Sequence, residues 1–78
     1  MTTPNSAPAP GTLWRHYKGG LYLAEGVGRH SETEGWHVIY RSLKAPQTLW
    51  LRPLEMWHET VVTTEGSVAR FQAISSDD

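Results

Sequence analysis

The stretch Trp50-Leu51-Arg52-Pro53-Leu54-Glu55-Met56-Trp57 limits the architecture most sharply. It reads as a strand running straight into one helical turn. Proline fixes φ and has no N–H to donate, so it suits the first position of a helix, where no N–H bond is needed. A helical turn over Pro53–Met56, set between strands in so small a chain, is a mark of small β-barrels.

Size sharpens the constraint. At 78 residues the chain makes one domain, and it has no cysteine. A domain of this size buries only about 60% of its unfolded surface. Disulfides and thiolate-bound metals, the usual reinforcements, are excluded. Large rings are the alternative: Trp14, Trp36, Trp50 and Trp57 stand with Tyr17, Tyr22, Tyr40 and Phe71. Each can bury about 150–250 Å². The formal charge is −1, and two of the acids are the terminal Asp77 and Asp78, so the folded part is close to neutral. Strong binders of the phosphate backbone usually carry a clear basic excess. No apolar run approaches the ~20 residues of a membrane span. The N-terminus has no basic stretch followed by an apolar one, so a cytoplasmic protein without a signal peptide is expected.

Residues 1–11 are rich in Pro, Ala, Thr and Ser with no charged side chain, and predict a disordered arm. Residues 75–78 predict a polar tail. Between them, turn signals recur at short intervals: Gly19-Gly20, His30 to Gly35, Lys44 to Gln47, and Thr64-Glu65-Gly66-Ser67. The segments they bound, 12–17, 21–29, 36–43, 48–52, 59–63 and 67–73, are rich in β-branched and aromatic residues. Short, evenly spaced strands predict an all-β fold over 12–74, a small barrel of five to six antiparallel strands. Gly26 and Gly28 supply a bend or bulge in the second strand. In the third strand the face carrying Trp36, Val38 and Tyr40 is expected to be buried. In the fourth, Trp50 competes with Leu49 and Leu51 for the inner face, and a one-residue slip would exchange them.

Several motifs recur together: Arg15-His16-Tyr17-Lys18-Gly19, Arg29-His30-Ser31-Glu32-Thr33, Tyr40-Arg41-Ser42-Leu43, Leu49-Trp50-Leu51-Arg52-Pro53-Leu54-Glu55-Met56 and Arg70-Phe71. In this order they resemble the bacterial domain-of-unknown-function family numbered 1653, over about Gly11 to Phe71. The resemblance implies a compact SH3-like barrel and no particular reaction. The chain departs from that pattern at Leu23-Ala24-Glu25 and at Lys44 to Gln47.

Each motif carries two readings. In Arg15-His16-Tyr17-Lys18, cations and a ring at a strand end can hold an anion or a peptide carboxylate; otherwise Tyr17 packs and the cations are solvated. In the loop after Arg29-His30, Ser31 and Thr33 can fix a turn and Glu32 can pair with Arg29. Arg41 and Arg52 can stack on Trp50 or pair with Glu55 or Glu59. The sharper alternative is an aromatic groove of Tyr40, Trp50 and Trp57 with Arg52 as its anion anchor. His58-Glu59 is the one close ligand pair, and neighbours on a strand face opposite ways, so no metal is expected. No nucleophile–base pair and no phosphate-cradling loop stand out.

These residues suggest a non-catalytic binding module that recognises an extended protein segment. The expected surface is Arg15, His16, Tyr17, Lys18, Arg29, His30, Tyr40, Arg41, Trp50 and Arg52. Alternatives are single-stranded nucleic-acid or nucleotide binding through the same face, and a small enzyme. No cofactor is expected, and the chain is expected to be a monomer or weak dimer.

Overall fold

The computed structural model describes residues 6–74. They form strands β1 (Leu13–His16), β2 (Leu21–Arg29), β3 (Trp36–Ser42) and β4 (Leu49–Pro53), a single helical turn α1 (Leu54–Trp57), and strands β5 (Thr60–Thr63), β6 (Gly66–Ala69) and β7 (Phe71–Ala73). One antiparallel sheet runs β4-β3-β2-β1-β7, and β5-β6 is a separate hairpin. The chain is thus all-β as expected, but neither sheet closes on itself, and seven strands stand where five or six were expected.

The extra strand arises at Arg70. The segment expected as one strand pairs with β5 through its first half and with β1 through its second. At the corner, the Arg70 N–H donates to the Glu59 carbonyl and the Arg70 carbonyl accepts from the Tyr17 N–H, both at 2.9 Å. A strand that changes sheets in this way folds the hairpin back toward the larger sheet.

Pro53 also sits one residue from its expected role. Its ψ of 139° is extended, so it ends β4 and precedes the helical turn. It pairs with His37 across the sheet. The turn drops Trp57 into the core, where it is fully buried.

Cross-strand partners share a face, so register decides the two sides of the sheet. Trp14, Tyr22, Ala24, Val27, Val38, Tyr40, Trp50, Arg52 and Phe71 fall on the inner face. Leu21, Leu23, Ile39, Arg41, Leu49 and Leu51 fall on the outer one. The inner assignment of Trp36, Val38 and Tyr40 is as expected, and the ambiguity at β4 resolves to Trp50 inside. Facing reverses along β2 at a bulge between Ala24 and Gly26, so that Tyr22 and Ala24 before it and Val27 after it share the inner face.

Rings fill the core. Trp57 stacks on Phe71 at 3.9 Å between centroids and 6° between planes. Trp14 and Tyr40 meet Trp57 edge-on at 5.4 and 5.0 Å. Edge-to-face and offset contacts of this kind contribute about 0.5–1.5 kcal/mol beyond area burial. Trp57 Nε1 is buried without a hydrogen-bond partner.

The expected disordered arm spanned 1–11. Residues 1–5 lie outside the described residues, and Ser6–Gly11 is held against the sheet instead. Pro8 is buried. The Gly11 N–H donates to the Ala24 carbonyl at 2.7 Å, and His58 Nε2 lies 2.7 Å from the Ser6 carbonyl. The expected tail, 75–78, lies outside the described residues. No helix among the described residues is long and apolar enough to cross a membrane.

Candidate functional site

The open end of the inner face carries a cavity of about 180 Å³ lined by His16, Tyr22, Tyr40, Trp50, Arg52 and Phe71. All five strands of the large sheet contribute to it. Arg52 stands opposite the fully buried Val38, so its stem crosses the inner face. Its guanidinium lies 5.5 Å from the centre of the Phe71 ring. Its Nε donates to the Tyr40 hydroxyl at 3.3 Å. Trp50, opposite Tyr40, is 51% exposed and forms the outer wall.

His16 enters from β1. Its ring meets Phe71 edge-on at 5.0 Å and lies 4.6 Å from Tyr17. The turn after β1 fixes its tautomer. The Gly19 N–H donates to the His16 carbonyl at 2.7 Å, and Gly19 has φ of +106°, a conformation that favours glycine. This turn brings the Lys18 N–H onto His16 Nδ1 at 3.1 Å. An Nδ1 that accepts leaves the proton on Nε2. Burial lowers the His16 pKa from 6.5, and the charges of Arg52, Arg70 and Lys18 lower it further.

The cavity therefore gathers donors around one cation. Arg52 supplies its remaining N–H groups, Tyr40 its O–H, and neutral His16 its Nε2–H. Among the described residues, Arg52 has no carboxylate partner. The ion pairs found are Arg41–Glu25 at 2.7 Å and Arg70–Glu59 at 3.4 Å.

Of the ten residues picked from the sequence, His16, Tyr40, Trp50 and Arg52 converge here, with Tyr17 and Lys18 beside His16. The others do not. Arg15 and Arg41 fall on the outer face, because they pair across the sheet with Leu21 and Leu49. Arg41 is held by Glu25, the residue the bulge sets out of register, and not by Glu55 or Glu59. Arg29 lies 5.0 Å over Trp36 at the far end of β2. His30 Nδ1 accepts the N–H groups of Glu32 and Thr33 at 3.0 and 3.2 Å, and Thr33 Oγ1 accepts that of Gly35. The motif around His30 builds its own loop. Trp57, expected in the groove, is instead core. Tyr22 and Phe71, which composition suggests only as core rings, both line the cavity. The alternation of Tyr22 with Leu21 and Leu23 was the available signal, obscured by the bulge that follows.

The model of the family described as "protein of unknown function (DUF1653)" matches residues 12–73. The chain belongs to the DUF1653 family. A solved structure agrees: the crystal structure of a DUF1653 protein from Bordetella bronchiseptica is 38% identical, with a TM-score of 0.78, covering 91% of this chain and 92% of that one. No curated protein matches.

Proposed function

We propose that the chain is a non-catalytic binding module, built as an open SH3-like barrel, that recognises an extended protein segment along β4. The observation that carries this reading is the state of that strand. β4 ends the sheet, and among the described residues only β3 pairs with it. A sheet edge offers unpaired N–H and C=O groups, and proteins usually blunt it with lysines, bulges or a covering loop. Here Leu49, Trp50 and Leu51 are 52%, 51% and 67% exposed, and Arg52 is the strand's one charge. An added strand would gain ladder hydrogen bonds, with alternate side chains facing Trp50 and Arg52 or Leu49 and Leu51.

A peptide array probed with the wild type and with Trp50→Ala and Arg52→Ala tests this. Binding of extended peptides that both substitutions weaken is expected. If both variants fold and neither alters any binding, the assignment is wrong. Steeply salt-dependent capture of single-stranded oligonucleotides, with no peptide bound, would replace it with a nucleic-acid surface.

A further inference from the structure

We infer that the cavity formed by His16, Tyr40, Arg52, Trp50, Tyr22 and Phe71 is a seat for a single carboxylate group, presented by the segment that docks on β4. This rests on the segment-binding reading for the source of the carboxylate, but not for the seat itself.

Three observations carry it. The first is size. At about 180 Å³ the cavity is below the roughly 300 Å³ of ordinary small-molecule sites, so it takes a functional group and not a whole metabolite. The second is charge. Arg52 is fixed by Tyr40 and Phe71, lacks a carboxylate among the described residues, and is not otherwise neutralised. A guanidinium held in this way is built for a planar oxyanion, which it grips through two parallel N–H bonds. The third is the donor set. Tyr40 has already accepted from Arg52, so its O–H is free to donate outward, and His16 is held as a neutral N–H donor by the Lys18 backbone.

The count of charges selects among oxyanions. Arg52 is the one cation among the residues that line the cavity, which matches a monoanion. A phosphate dianion would leave excess negative charge against the rings of Tyr22, Phe71 and Trp50, where desolvation is costly. The geometry also places the carboxylate correctly for an added strand. Trp50 and Arg52 share the inner face of β4, so residues of the segment on that face would point into the seat, while their neighbours would lie along Leu49 and Leu51.

Occupation of the seat has a spectroscopic consequence. The charged groups around His16 are Lys18 in the turn, Arg52 on β4 and Arg70 ahead of β7; Tyr17, Tyr22 and Tyr40 are the other titratable neighbours. All three charges are positive, so a bound carboxylate offsets them and raises the His16 pKa.

The experiment follows the His16 ring by NMR in the full chain, at constant ionic strength, against four probes. These are N-acetyl-glutamate methylamide, which offers a side-chain carboxylate; N-acetyl-glutamine, which offers a terminal one; the neutral N-acetyl-glutamine methylamide; and inorganic phosphate. Saturable shifts of the His16 signals and a rise in its pKa are expected with the carboxylates and not with the neutral probe. The tighter of the two carboxylates identifies the source. Arg52→Gln should weaken the response by about tenfold or more, as expected for a lost charge-assisted bond. Should Arg52→Gln fail to fold, Tyr40→Phe removes the Arg52 partner and should also weaken binding, and the neutral probe needs no variant. Equal responses to the charged and neutral probes overturn the inference, as does tighter binding of phosphate. The segment reading is tested separately: Leu51→Lys, on the outer face, should abolish peptide docking and leave the carboxylate response intact, and unchanged peptide docking by this variant overturns the segment reading alone.

Discussion

Phe71 joins stability to the site, and Phe71→Leu tests that joint role. The ring is 4% exposed and lies flat on Trp57 at 3.9 Å. It also meets His16, Tyr22 and Tyr40 edge-on at 5.0, 5.8 and 5.5 Å and carries the Arg52 guanidinium. Leucine keeps the position apolar, so the change of shape alone should cost less than about 1.5 kcal/mol. Loss of the stack and of the edge contacts adds about 1–1.5 kcal/mol, taking one well-formed ring pair as the guide. The total is about 2–3 kcal/mol. A chain of this length is expected to be stable by about 4–12 kcal/mol, so the variant should remain folded. At about 4–8 °C per kcal/mol, its melting temperature should fall by roughly 10–20 °C. Thermal melts followed by circular dichroism and Trp fluorescence measure this. A loss below about 1 kcal/mol would lie within what the change of shape alone gives, and would refute the claim that stacked rings hold this core. Folded Phe71→Leu should also bind carboxylate probes more weakly, because Arg52 loses the surface it lies on.

Other perturbations separate the parts of the molecule. Leu51→Lys changes a side chain that is 67% exposed, so stability should stay within about 0.5 kcal/mol of the wild type, while a lysine on the free edge should block strand addition in a peptide-binding assay. His16→Gln should flatten the pH dependence of stability. Because the folded-state pKa of His16 lies below 6.5, the unfolded chain takes up the proton first as pH falls through that value, and stability is lost until the folded-state pKa is passed. The wild type should therefore lose more melting temperature than His16→Gln between about pH 7.5 and about pH 5.5, and equal losses would contradict the assigned environment. Gly66 has φ of +106° at the β5–β6 turn, with open space around it. Gly66→Ala should cost about 1–2 kcal/mol through backbone strain alone, in chemical denaturation, without altering ligand binding.

Much of the strand order could be read from local chemistry. Gly19-Gly20, the loop from His30 to Gly35, and Thr64-Glu65-Gly66-Ser67 mark turns because glycine and short polar side chains stabilise them locally. The segments between them became strands close to where they were expected. Sequence missed the division at Arg70, because the break is set by partners remote in sequence, Glu59 and Tyr17. It also missed that Ser6–Gly11 lies against the sheet, where composition argued for a free arm.

The site was legible in its residue types and not in its membership. Arg15, Arg41 and Arg52 look alike as strand arginines, yet only Arg52 reaches the inner face uncompensated. The bulge at Glu25 presents the acid to Arg41. Trp50 and Trp57 look equally suited to a groove, yet the turn after Pro53 sends one to the rim and the other to the centre.

The class of fold, the turns and the reliance on rings in a chain without cysteine follow from local backbone preferences and composition, and so are legible in the residues alone. Packing across the sheet set which arginine enters the inner face beside Tyr40, Phe71 and His16 with no carboxylate partner among the described residues. Facing depends on register, and register is fixed by the packing of the whole sheet, where one bulged residue reverses every side chain that follows.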